Sequence, residues 1–306
     1  MLGWLLKALA AWVALSAILF LFSAQFLQHR VDGATRAQLD SGGAPVVAAS
    51  TILVLGSDQR PAGSKEPGAS TSGPSRSDSI QLLRIGGGHS AKLSIPRDMA
   101  VQIPGHGVNK INAAYAFGGS ALAVQTVKQF LGIGVDHVVV VNFTRFPRLI
   151  DALGGVDYTG GCVVSRINGG FRNGGFTLRL RAGTTHISGR QALALARTRH
   201  NDCNRRESDL TRARRQQKIT SAMKSRAFSF GGFLRWPLIA LRAPQTLSTD
   251  MGAPGLAGLT ATLATAGNAP TRILRPTGAV RLADGGAALT ITDASKRRQV
   301  ARFLGG

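Results

Sequence analysis

Between Leu2 and Leu27 the chain carries one charged side chain, Lys7. An apolar run of this length is enough to cross a bilayer core as a helix, for which about 20 residues suffice. No other stretch restricts the fold as strongly, because whatever follows must be carried beside a membrane or cut away from it. Trp4 and Trp12 supply rings suited to an interface. The competing reading is a cleaved signal peptide, with Lys7 as its charged start and a cut near Ser23 to Gln25. No small-x-small site follows the apolar stretch, so an anchor is expected. Flanking charge does not fix the orientation, since Lys7 lies on one side and Arg30 and Arg36 on the other.

Charge and cysteine usage bear on the compartment. Thirty-seven Lys and Arg stand against 15 Asp and Glu, a formal net charge of +22, which calls for a polyanionic partner: nucleic acid, anionic lipid, or a phosphorylated polymer or substrate. The two cysteines, Cys162 and Cys203, follow a membrane segment, and an even pair there fits one disulfide in an exported domain; two unrelated buried thiols are the alternative. Export disfavours nucleic acid, and neither a helix-turn-helix nor a zinc signature is present.

The organisation expected is a cytoplasmic start and transmembrane helix over 1–28, a polar, Gly- and Ser-containing extracytoplasmic linker over 29–45, and one domain over 46–306. Thr51 to Leu55 reads as a buried strand stopping at Gly56-Ser57-Asp58. Pro61 to Ser77 reads as a surface loop closing at Arg76-Ser77-Asp78. Ser79 to Ile85 and Ala91 to Ile95 form a strand pair around Gly86-Gly87-Gly88, running into Pro96-Arg97-Asp98. Val108 to Asn112 is expected to open a helix through Tyr115, and Ser120 to cap another reaching Leu131. Then come a strand over Val135 to Val141, a helix near Phe146 to Leu153 stopped by Gly154-Gly155, and short strands in Val156 to Val164 and Phe176 to Leu180. Ser188 caps a helix leading to Arg197, helix resumes to about Arg226, and Phe230 to Ala266 is helical in character. Strands at Ile273 to Leu274 and Ala288 to Thr292 precede a terminal helix from Ala294 to Leu304. Strands alternating with helices imply an α/β fold: a three-layer α/β/α sandwich on a central mixed sheet.

Candidate chemistry gathers at strand ends and in one basic run. Asp58 and Asp78 end beside strand termini and suit a hard divalent cation, Mg²⁺ or Mn²⁺, although turn-forming acids are the plainer reading. From Arg197 to Gln217 the chain is R-T-R-H-N-D-C-N-R-R-E-S-D-L-T-R-A-R-R-Q-Q. Arg197 and Arg199 share a side if extended, while Asp209, Arg212, Arg215 and Gln216 share a helix face; a solvated charge run is the alternative. Guanidinium forks make paired, charge-assisted bonds to phosphate at any working pH. Arg76, Arg97, Arg197, Arg199, Arg212 and Arg215, with Lys110 and Gln216, are therefore candidates for a pyrophosphate site, and no Walker loop or nucleophile-elbow serine offers a competing chemistry.

Leu55-Gly56-Ser57-Asp58, Arg76-Ser77-Asp78-Ser79, Leu93 to Asp98, Lys110 to Tyr115, Val141-Asn142-Phe143, Asp151 to Val156, Gln191 to Ala194 and Arg212 to Gln217 resemble, in order, the motif series of the LytR-CpsA-Psr family. The resemblance covers about residues 50–226, and the cysteine pair with its D-C-N insertion is similar to actinobacterial members. It implies an α/β/α domain outside a membrane anchor. It also implies a Mg²⁺-assisted phosphotransferase that moves a glycopolymer from a polyprenyl pyrophosphate carrier to peptidoglycan, with pyrophosphatase activity on the side. By the same resemblance Asp58 and Asp78 bind metal, and Arg76, Arg97, Arg197, Arg199, Arg212 and Gln216 contact the pyrophosphate. Arg76 and Arg97 are the arginines nearest the chemistry, and Asp98 is the candidate general base, with a structural salt bridge as its alternative. The long Gly/Ser loop between Asp58 and Arg76 departs from the family pattern. Two other functions stay open: a non-catalytic exported module binding anionic wall polymer, and a membrane-bound transcriptional attenuator, which requires a cytoplasmic domain.

Overall fold

The computed structural model describes residues 2–42, 48–57, 77–142, 145–167, 176–198, 200–204, 209–265 and 271–305. Asp58, Arg76 and Arg199 lie outside the described residues, as does most of the Gly/Ser loop. The stretch expected to be one domain contains two compact units, one built from residues within 2–27 and 145–246, the other from 28–57, 77–142 and 247–305.

In the second unit, four apolar runs with a period of two meet in register. They are β2 (Ser50–Ser57), β3 (Ser77–Gly86), β4 (His89–Ile95) and β7 (His137–Asn142). Leu53 pairs with Leu82 and Val138, Leu55 with Ile80 and Val140, Ile80 with Ile95, and Leu82 with Leu93. All of these side chains therefore project from one face, and all are buried. The full sheet adds β1 (His29–Arg30), β12 (Leu247–Thr249) and β13 (Thr271–Ile273) in the order β1-β12-β7-β2-β3-β4-β13. It is mixed: β2 runs parallel to β7 and antiparallel to β3. Helices α3 (Ala113–Leu131) and α10 (Asp293–Leu304) bury Val124, Val127, Leu131, Val300 and Phe303 in the core on that face. Helix α9 (Ala253–Thr265) packs against β3 with Leu256 and Leu259 buried. The expected mixed sheet between helices is thus present.

Several expectations change. Residues 29–42 are folded rather than a linker: β1 pairs in parallel with β12, and Asp32 caps α2 (Gly33–Ala37) by accepting from Thr35 N at 2.7 Å. Asp40 receives Lys128 Nζ at 2.7 Å and Val135 N at 2.8 Å. The polar residues that suggested a linker are caps and ion-pair partners. Val108 opens no helix; it lies in β6 (Gly107–Lys110), paired with β5 (Ala100–Ile103) in a hairpin closed by Gly105 and Gly107 at φ of 75° and 68°. Helix α3 is continuous in sequence but bent at Gly118 and Gly119, just before the expected Ser120 cap. The apolar tract from Phe230 to Ala266 is interrupted by β12, which slots between β1 and β7. A further hairpin, β14 (Gly278–Arg281) with β15 (Ala287–Thr290), includes a first strand exposed at every residue, which leaves no apolar period to read.

The first unit begins with α1 (Leu2–Phe22), which continues as a π-helical turn over Ser23–Leu27. Among the described residues it is the one helix long and apolar enough to cross a membrane. One stripe of it packs along α8 (Trp236–Arg242), which follows α7 (Phe230–Phe233). Trp12 Nε1 donates to Phe233 O at 3.0 Å and Ser23 Oγ to Leu241 O at 2.7 Å, while Leu5, Leu9, Ile18 and Phe22 stay exposed. The unit's own core lies under α4 (Phe146–Ala152), α5 (Gly189–Arg197) and α6 (Asp209–Ala227). It is filled by Ile150, Leu153, Val156, Tyr158, Leu178, Ile187, Leu195 and Ile219. Two antiparallel pairs complete it: β8 (Val156–Gly160) with β11 (Gly183–Ile187), and β9 (Val163–Ile167) with β10 (Phe176–Leu180). Cys162 and Cys203 form the disulfide expected of them.

Candidate functional site

In the sheet unit the carboxyl ends of β2, β7 and β4 and the start of β3 lie at one end of the sheet, since Ser57 pairs with Asn142 and Ile80 with Ile95. Open α/β sheets bind ligands at such ends. Gly56 lies opposite Ser79 while Ser57 lies opposite Ser77, so Asp78 is the extra residue of a β-bulge. Bulges re-aim side chains beside active sites. Ser57, at the end of β2, lies opposite Ser77, and Asp58 follows it in the sequence. Ser77 Oγ, in a residue 1% exposed, has no hydrogen-bond partner among the described residues. Carboxylate and hydroxyl oxygens are hard donors, the kind that suits Mg²⁺ or Mn²⁺.

The turn after β4 is held from three sides. Met99 N donates to Pro96 O at 3.1 Å, Asn112 N to Arg97 O at 3.3 Å and Leu289 N to Asp98 O at 2.8 Å. On this backbone Asp98 sits between two cations: Oδ1 is 3.0 Å from Lys110 Nζ, at the end of β6, and Oδ2 is 3.5 Å from Arg97 Nε. The three side chains are partly buried, so solvent screens the cluster incompletely. The structure thus brings Arg97, Asp98 and Lys110 together and shows the salt bridge that was the alternative reading for Asp98.

The helical unit, taken by itself, holds further basic candidates. Ser188 and Gln191 form a capping box at the start of α5, with Ser188 N donating to Gln191 Oε1 at 2.9 Å. The helix ends at Arg197, where Thr198 turns to φ −56°, ψ 118°. From α6, Arg215 Nη1 donates to Leu195 O at 3.2 Å and Thr198 O at 3.1 Å, and Gln216 Nε2 donates to Ala196 O at 3.3 Å. These are carbonyls that a helix end leaves without partners. Arg212 and Arg215 are 7% and 5% exposed. Arg215 was expected to face a diphosphate; its Nη1 is turned to the end of α5.

Asn201 was not singled out by sequence. Its Oδ1 accepts from Val164 N at 2.9 Å and Cys203 N at 3.1 Å, and its Nδ2 donates to Cys162 O at 3.0 Å. With the disulfide it ties the segment after Arg197 to β9. Its signal was an asparagine two residues before a cysteine, where Asx-type turns form.

Against this geometry, three comparisons agree. The chain is 35% identical over 213 residues, 68% of its length and 62% of the relative's, to TagT of Bacillus subtilis (strain 168), named a polyisoprenyl-teichoic acid–peptidoglycan teichoic acid transferase. It is 34% identical over 184 residues to TagU of Halalkalibacterium halodurans, named for the same transfer, covering 59% of this chain and 57% of the relative. The chain therefore spans less than two thirds of the length of these relatives. The solved structure of TagT bound to LI-WTA superposes with a TM-score of 0.63 at 26% identity, covering 91% of this chain and 99% of that one. The family model described as LytR_cpsA_psr family matches residues 31–299, and the chain belongs to that family.

Proposed function

We propose that this protein is a membrane-anchored phosphotransferase that moves a glycopolymer from a polyprenyl pyrophosphate carrier to a sugar hydroxyl of peptidoglycan. The observation that carries this reading is the end of the sheet where the Asp78 bulge adjoins the carboxyl ends of β2 and β4, with Arg97 and Lys110 fixed around Asp98. The names of TagT and TagU support the transfer and a polyisoprenyl-linked polymer as its donor. Helix α1 supports the anchor, and the disulfide supports an oxidising, extracytoplasmic setting for the rest.

In this reading the acceptor hydroxyl attacks the phosphorus that carries the glycopolymer. A phosphorus–oxygen bond to the acceptor forms, the bond to the bridging oxygen breaks, and polyprenyl phosphate leaves. Arg97 and Arg76 neutralise the charge that builds on the leaving phosphate, aided by Lys110, Arg197, Arg199, Arg212 and Gln216. Asp98 accepts the proton of the hydroxyl once the donor's phosphates have drawn its cations away. Asp58 and Asp78 would hold Mg²⁺ or Mn²⁺, which supplies further neutralisation of phosphate oxygens. Water in place of the acceptor gives the pyrophosphatase side reaction.

The test is R97A in the full-length protein, assayed for transfer from a polyprenyl pyrophosphate-linked polymer to peptidoglycan. A fall in kcat of about 10²- to 10³-fold is expected from losing one fixed charge donor. Transfer at the wild-type rate would sink the enzymatic reading. Polymer binding without turnover in the wild type would replace it with the non-catalytic binding module that the +22 charge permits.

A further inference from the structure

We infer that Arg215 is a positioning residue, which sets the carboxyl end of α5 so that Arg197 meets the diphosphate and which makes no phosphate contact of its own. The inference rests on the proposed function, in which Arg197 receives that diphosphate. The two bonds from Arg215 Nη1, to Leu195 O and Thr198 O, bracket Arg197 from before and after. Gln216 Nε2 takes the carbonyl between them, that of Ala196, and Thr198 Oγ1 closes back on Ala194 O at 2.9 Å. Every residue from Ala194 to Thr198 other than Arg197 itself therefore has its carbonyl held by a side chain from this cluster.

Three physical points separate this from an incidental contact. The carboxyl end of a helix carries partial negative charge, so a buried guanidinium there gains favourable electrostatics as well as hydrogen bonds. A planar fork spans two carbonyls in one conformation, which an ammonium on a flexible stem does not. Thr198 is 1% exposed and leaves the helical conformation at once, so the chain is fixed on both sides of Arg197. Release of that grip moves the Arg197 backbone, and misplacing a binding group by about 1 Å costs as much as about 100-fold.

The experiment is a double-mutant cycle in the full-length protein, reading the affinity for octaprenyl pyrophosphate of wild type, R197A, R215M and R197A/R215M. R215M is expected to weaken binding by about 10- to 100-fold, and R197A/R215M to bind no more weakly than R197A. Losses that multiply in the double variant would mean that Arg215 makes its own phosphate contact, and wild-type affinity in R215M would mean that it makes no difference; either overturns the inference. Wild-type affinity in R197A would instead overturn the proposed site while leaving the α5 brace to be judged by a second measurement. That measurement is amide hydrogen exchange in R215K, which retains the charge and avoids the risk that R215M fails to fold. Faster exchange confined to residues 194–198 supports the brace, and unchanged exchange there overturns it.

Discussion

Asp98 is the residue at which two readings meet: the anchor of two cations, which the ion pairs show, and the general base proposed above. A carboxylate 3.0 Å from an ammonium and 3.5 Å from a guanidinium is an effective anchor for both cations, and the same oxygens are the nearest proton acceptors in the cluster. D98N keeps the shape and removes the charge. As general base, Asp98 is expected to lose about 10²-fold or more in kcat on this change, with the acid limb of the pH–rate profile disappearing. An anchoring role alone would raise KM for the donor and leave the limb in place, so the profile decides. Arg97 was legible in the sequence because a proline-arginine-aspartate turn follows an apolar strand. Arg215 was legible as a basic residue on the right helix face but not as a helix brace, because the carbonyls it serves lie at the end of a helix that closes 18 residues earlier.

At the scale of elements, the segment 29–42 changes most from its reading in the sequence. Asp32 and Asp40 both have pKa values lowered from the ordinary carboxylate range. For Asp32 the main cause is the hydrogen bonding of Thr35; for Asp40 it is the hydrogen bond from Lys128, partly opposed by burial. A depressed folded-state pKa contributes stability that is present above the unfolded value, near 4, and lost as pH falls through the folded value. Acid titration monitored at the sheet unit is therefore expected to show a loss of stability below about pH 4, reduced in D32N/D40N. Because both side chains are largely hydrated, the effect is small beside that of the core. D32A, which removes the cap itself, is expected to cost about 0.5–2 kcal/mol in thermal or denaturant unfolding at neutral pH. The strand pair around Gly86 to Gly88 was readable because its runs alternate and its turn is glycine. The β5–β6 hairpin was not, because Val108 to Asn112 mixes polar and apolar residues in a way that also fits a helix start, and only the paired partner strand settles it.

For the whole molecule, the family motifs gave the α/β/α layering, while the partition into two units was hidden because the chain passes between them more than once. Sequence patterns report local periodicity, and such crossings are long-range. The disulfide is a molecule-scale restraint: it closes a loop with a sequence separation of 41 and stabilises by about 4 kcal/mol on the chain-entropy estimate. C162S/C203S is expected to lower the melting temperature and, by loosening the segment that Asn201 ties to β9, to weaken pyrophosphate binding; an unchanged melt would show that Asn201 and the β9–β10 pair suffice. The folding of residues 29–42 has a consequence for reach. Fourteen free residues would act as a leash and let a tethered body wander over about 20 Å. Hydrogen-bonded into the sheet as β1 and locked by Asp32 and Asp40, they leave no slack of that kind. Residues 29–42 therefore add to the fold of the sheet rather than to the length of any tether.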